Sequence, residues 1–273
     1  MSEFRRKLLS KHKTYGWVEI AKITTIGTTE VSLPKYREIG FFVVGGGGSG
    51  HSDFSTTRWT GSGGNGGCVN HFTVPFTTTS CTVVVGSGGA KTGVKGSKSN
   101  NGSPSSIVYN GITYKSDGGF GGSNSKGELN TKQVNSGLGG FGKWGGYNDE
   151  AMYVWCANHP ASELYPGTII PGGKGENGLP NQFDETDTNL YGAGGGASQN
   201  AYYPTTLYVG PAIPGGVKGG GDGGYGNNNA NTNMGQDGSF YGAGGGGGSF
   251  SSKHTYSRGG AGYQGIVIIY GKK

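Results

Sequence analysis

Glycine comes in runs in this chain. Two stretches read YGAGGG, Tyr191 to Gly196 and Tyr241 to Gly246, and the second continues to Gly248. Glycine loses more backbone freedom on folding than any other residue. A chain with 62 glycines and 10 prolines among 273 residues therefore first suggests disorder. Its aromatics argue otherwise. It has 16 Tyr, 11 Phe and 4 Trp, and only 14% of its residues are charged. Disordered chains are poor in aromatics and rich in charge, so we read the glycines as ordered. In return for its entropy cost, glycine gives access: without Cβ, two backbones can approach closely. Collagen uses this at its crowded axis, but the clusters here have no Gly-X-Y register and little proline.

Between the clusters the pattern is that of strands. YGWVEIAKI, TTEVSLP and EIGFFVV are rich in β-branched and aromatic residues and are separated by turn signals. FFVV runs directly into GGGGSG. VNHFTVP, a polar TTTS and CTVVV then run into GSGG. The pattern therefore predicts a hairpin-like pair of strands ending in glycines, used twice. SIVYNGITYKS is a third pair around Asn110-Gly111, a strong two-residue hairpin signal. GIVIIYG, residues 265–271, is apolar on both faces and so is expected to be buried. The expected class is all-β: short strands and hairpins with packed glycine-rich extended segments. A short amphipathic helix or arm over residues 3–12 precedes them.

Net charge is +6 but unevenly placed. Arg5, Arg6, Lys7, Lys11 and Lys13 face only Glu3 in the first thirteen residues, and Lys272 and Lys273 close the chain. The body between is balanced, which argues against a polyanion-binding face and hence against nucleic acid as partner. Cys68, Cys81 and Cys156 form no CxxC and no even framework, as expected of folding in a reducing cytoplasm. The opening MSEFRRKLL lacks the apolar core of a secretory signal. No apolar run approaches the ~18 residues of a membrane span. The sequence divides into a basic segment at 1–19 and a glycine-rich β domain at 20–273, which carries a glycine-poorer, loop-rich insert at 122–165.

Signs of chemistry are few. Gly45, Gly47 and Gly50 match GxGxxG after a strand, but the HSDFSTTRWTGSGG that follows is no helix. No two of the five histidines stand four apart, so there is no HExxH and no paired-histidine metal site on a helix. Asp184, Glu185 and Asp187 could grip calcium, but a solvated acidic loop explains them as well. There is no nucleophile elbow. The expectation is a binding protein, not an enzyme, with no cofactor and no metal. Trp144, Tyr147, Tyr153, Trp155, Tyr202 and Tyr203 lie in the long segments between glycine clusters. Aromatics there either anchor an interface or supply core that glycine cannot. Partial burial is expected for the tryptophans and exposure for the Tyr202–Tyr203 pair.

Four motifs in order, TEVSLPKYREIGFFVVGGGG, CVNHFTVPFTTTSCTVVVGSGGA, GSPSSIVYNGITYKSDGG and GGAGYQGIVIIYG, resemble the glycine-rich domain of bacteriophage tail-fibre and tail-tip proteins. MSEFRRKLL is similar to the opening of virion proteins in phages of gut Bacteroidales, crAss-like phages among them. The resemblance implies glycine runs packed side by side as three-per-turn extended helices. Gly194, Gly195, Gly244 and Gly245 would lie at the contacts, and Tyr191 and Tyr241 would cover an edge. It implies that loops near 144–155 and 197–209 contact the host receptor, a bacterial surface glycan or outer-membrane protein. Phe4, Arg5, Arg6, Leu8 and Leu9 would dock to other virion proteins. The expected assembly is a homotrimer in the virion, without membrane insertion.

Overall fold

The computed structural model describes residues 16–51, 61–91, 99–122, 133–140, 155, 158–167, 172–198, 212–224, 234–249 and 258–273. Their architecture is all-β. One four-stranded antiparallel sheet has the order β1 (Trp17–Ile23), β10 (Ile266–Lys272), β3 (Glu38–Val44), β4 (Val69–Pro75). A second has the order β2 (Gly27–Ser32), β5 (Ser80–Val85), β6 (Ser105–Tyr109), β7 (Ile112–Ser116). The sheets pack face to face around Ile39, Phe41, Val43, Val83, Ile107, Val267 and Ile269. A two-stranded ribbon, β8 (Leu179–Pro180) and β9 (Leu190–Tyr191), adds a second core on the other face of the first sheet. There Phe42, Val44, Ile266, Ile268 and Tyr270 meet Phe183 and Tyr191.

This double cover explains the strand patterns. β3 and β10 are apolar on both faces because both faces are covered. β5 alternates because only one of its faces meets the core. The same logic corrects the hairpin expectation. β2 and β3 are not a hairpin, and neither are β4 and β5, because each pair divides between the two sheets. The loops after Ser32 and Pro75 carry the chain across the sandwich, placing each doubly apolar strand in the doubly covered sheet. Of the three expected pairs, β6 and β7 alone form a hairpin, with Tyr109 opposite Ile112. Asn110 and Gly111 take φ of 49° and 75° at its turn, as a two-residue turn with the right twist requires. Gly40 serves a different need: a Cβ there would run into the ring of Phe183.

Beyond the sheets the chain continues as a bundle of extended rods. Residues 45–51 show the rule. Gly45, Gly48 and His51 donate their N–H groups to the carbonyls of Cys68, Asn65 and Ser62. Gly46 and Ser49 donate to Ser103 and Asn100, and Gly47 and Gly50 to Tyr263 and Gly260. All seven bonds measure 2.8–3.0 Å. The partner changes with a period of three, the repeat of a polyproline-II-type helix, whose successive N–H groups point to three different sides. The carbonyls follow the same period: Gly46 and Ser49 accept from Gly119 and Gly122, Gly48 and His51 from Gly245 and Gly248, and Gly47 from Gly89. One rod is thus bonded to six neighbouring segments.

Candidate functional site

The two YGAGGG copies are neighbouring rods in this lattice. Gly244 and Gly247 donate to the carbonyls of Ala193 and Gly196, so the copies run in parallel. The first copy repeats the central pattern. Gly195 and Ser198 donate to Gly64 and Gly61, Gly194 and Ala197 to Glu176 and Gly173, and Gly196 to Gly221. Gly194, Gly195, Gly244 and Gly245 all sit at contacts. A Cβ on them would fall within 3.0 Å of the carbonyl oxygens of Leu138, Gly245, Gly64 and Gly260 respectively. The backbones touch where a side chain would stand.

Tyr191 departs from the edge position expected of it. It is 1% exposed, with its ring 4.8 Å from Phe42 and 5.2 Å from Phe240. Its hydroxyl donates to Asp187 Oδ2 at 2.7 Å. Glycine rods bring no side chains of their own, so the aromatic at the rod's start fills the second core. Tyr241 is partly buried beside it, 5.2 Å from Phe240.

The bundle gives the molecule two poles. β3, β5 and β7 leave the sheets into rods, while the rods at 61–67, 99–104 and 258–265 return into β4, β6 and β10. Seven strand residues at ~3.3 Å and seven rod residues at ~3.1 Å place the poles roughly 45 Å apart. At the inner pole Trp17 pairs with Lys272, so the described residues begin there, at Gly16. At the outer pole His51 bonds Ser62, and Gly235 bonds Arg258. The segments 52–60, 92–98, 199–211, 225–233 and 250–257 lie outside the described residues, but those flanking each of them stand at this pole.

The recognition candidates divide accordingly. Trp144, Tyr147, Tyr153, Tyr202 and Tyr203 lie outside the described residues, as do Phe4, Arg5, Arg6, Leu8 and Leu9. Trp155 is described and half-buried. It stacks on His159 with ring centroids 3.9 Å apart and 6° between planes, and Tyr165 meets it edge-on at 5.4 Å. Lys174 N–H holds the His159 carbonyl, and Gly173 accepts from Ala197. The cluster is therefore anchored at the outer pole.

Other candidates for chemistry are used up structurally. The amides of the GxGxxG match are spent on neighbouring carbonyls, leaving none for a phosphate. Asp184 Oδ1 accepts from the Thr186 N–H and hydroxyl, and Asp187 Oδ1 from the Asn189 N–H. Among the described residues no group of three His, Cys, Asp or Glu could hold a metal ion. No described helix is long and apolar enough to cross a membrane. Cys68 and Cys81 are buried free thiols, and burial raises both pKa values, that of Cys81 to about 11.

Sequence reasoning missed the polar side chains built into the rods. Asn65 Oδ1 accepts from the Gly139 N–H at 2.9 Å, and Ser198 Oγ from that of Gly61 at 2.6 Å. Gln133 bridges one rod, accepting from the Phe120 N–H and donating to the Gly118 carbonyl. Their signal was present: lone polar residues inside or beside glycine clusters. The inward His71 was missed as well. Its Nε2 accepts from the Gln182 N–H at 3.0 Å, and its ring lies 4.9 Å from Phe42.

Residues 23–272 match the glycine-rich domain family. The chain belongs to that family. The match runs from the last residue of β1 to the last of β10 and so takes in both sheets and the bundle. No curated protein matches the chain.

Proposed function

We propose that this glycine-rich domain protein is a bacteriophage virion appendage protein of tail-fibre or tail-tip type. Its basic N-terminal segment docks to other virion proteins, and the segments at the outer pole recognise a bacterial surface glycan or outer-membrane protein. It works in the virion as a homotrimer, by binding rather than catalysis, and gains avidity from its copies. The observation that supports this reading is the separation of the poles: the described chain starts at one end of a backbone-bonded bundle, and the residues flanking five undescribed segments gather at the other.

A purely structural role, as a collar, head-fibre or decoration protein, draws on one observation. The described candidate, Trp155, already spends its ring on His159 and Tyr165. Antibody labelling of intact particles separates the two. Gold at fibre tips, with adsorption blocked by free protein, supports recognition. Gold confined to the collar or capsid, with adsorption untouched, supports the structural role. Particles that carry none of the protein sink both.

A further inference from the structure

Four Asn–Gly pairs occur in the chain, at 65–66, 101–102, 110–111 and 177–178. At such pairs a carboxamide reacts most readily with the backbone, because glycine offers no side chain to shield its nitrogen. The reaction needs two freedoms. The Asn side chain must swing over the next amide, and that amide must be released from any hydrogen bond.

The bundle removes both at two sites. Asn65 is fully buried with its Oδ1 held by the Gly139 N–H, and the Gly66 N–H donates to Gly137 at 2.9 Å. Asn101 Oδ1 is held by the Gly121 N–H at 2.8 Å, and the Gly102 N–H donates to Gly119 at 2.9 Å. At the third site the side chain alone is tied: Asn177 Oδ1 accepts from the Val217 N–H at 2.9 Å. Asn110 differs. It is exposed at the β6–β7 turn, and no hydrogen bond engages its side chain or the Gly111 N–H.

We propose that Asn110 is this chain's site of spontaneous deamidation. The Gly111 nitrogen, its proton taken by solvent base, attacks Asn110 Cγ. A C–N bond forms, the carboxamide nitrogen leaves as ammonia, and a five-membered succinimide results. Water then opens one of its two carbonyls, leaving aspartate or isoaspartate at 110. No electrons are exchanged with any other molecule. Either product adds a negative charge at the inner pole. Isoaspartate also lengthens the main chain by one carbon inside a turn of two residues, which breaks the Tyr109–Ile112 register. The damage enters beside the Tyr109 hydroxyl, which receives the Thr77 and Thr78 N–H groups, so it reaches the edge of the second sheet and spares the rods.

The test is to incubate the intact protein at mildly alkaline pH and map the amide-to-acid mass change by peptide sequencing. Asn110 should convert at least about tenfold faster than Asn65 and Asn101, whose amides must first break buried bonds, and faster than Asn177. In urea the four rates should converge. The proposal is overturned if any of the other three keeps pace with Asn110 in the folded protein. It is equally overturned if Asn110 stays intact over a time in which the unfolded chain reacts. Asn110→Gly, which keeps a residue suited to the positive φ, should abolish the change and leave melting as it was.

Discussion

Replacing Gly244 with alanine puts the rod lattice to its most direct test. Gly244 has no positive φ, so alanine can adopt its conformation. It should even gain about 0.4 to 1 kcal/mol by restricting the unfolded chain. Packing works in the opposite direction. The new Cβ would fall within 3.0 Å of the Gly64 carbonyl carbon and oxygen and the Asn65 oxygen, all main-chain atoms with no rotamer to yield. Overpacking a tight interior costs about 1 to 3 kcal/mol. Easing the clash means parting this rod from Gly64, which strains the bond from the Gly64 N–H to the Gly245 carbonyl, and a lost buried bond costs about 1 to 3 kcal/mol more. The net expectation is a loss of roughly 2 to 4 kcal/mol, or a melting point lower by about 5 to 15 °C for a domain of this size. Gly194→Val should lose more, since its added atoms face the Leu138 carbonyl. Thermal and urea unfolding of the parent and both variants gives the values. A Gly244→Ala protein as stable as the parent, or more so, would refute close backbone packing.

Three further outcomes follow from the same structure. Burial lowers the pKa of His71 from 6.5 to about 4. The unfolded chain therefore binds a proton that the folded one refuses, and stability should fall as pH drops from 6.5 toward 4. Partial exposure reduces the effect to roughly 1 to 2 kcal/mol, and an equal pH slope in His71→Gln would remove His71 as its source. Amides of residues 46–50, though in no strand, should exchange hydrogen as slowly as those of β3, because every one is bonded within the bundle; loop-like exchange rates would contradict the lattice. Chains ending before Arg258 should not fold. They lack β10, which is β1's only partner strand among the described residues, and the rod that receives Gly47 and Gly50, so a cooperative melt from such a chain would show that closure does not depend on it.

The strands were legible because each carries its environment in its composition. FFVV and IVII announce two buried faces, and Asn110-Gly111 announces its turn. Strand pairing was harder to read. A short loop between two strands looks the same whether it turns back within a sheet or crosses to another, and only the number of covered faces separates the cases. Tyr191 was misplaced for a related reason. The rods hide their need for a core, because the second core is assembled from β3, β10, Phe183 and Tyr191, residues far apart in sequence. For the candidate site, sequence alone could mark aromatic segments between glycine clusters. It could not show that their anchors gather at one pole, since that depends on which rods run outward and which return.

The rods should also let such a domain tolerate changes at its outer pole. Their bonds run from backbone to backbone, so what they ask of the sequence is the absence of Cβ at contacts rather than particular side chains. A rod's six neighbours are fixed by period-three geometry, whatever connects the rods at the outer pole. Closing a longer loop costs little, about 0.6 kcal/mol per doubling of length. Insertions at 52–60 or 199–211 should therefore leave melting nearly unchanged. The same insertion between Gly47 and Gly48 would shift every later donor by one place, from the neighbour it faces to the next. A stable protein carrying that internal insertion would mean that the register of the bonds, and not only the lack of side chains, is free to vary.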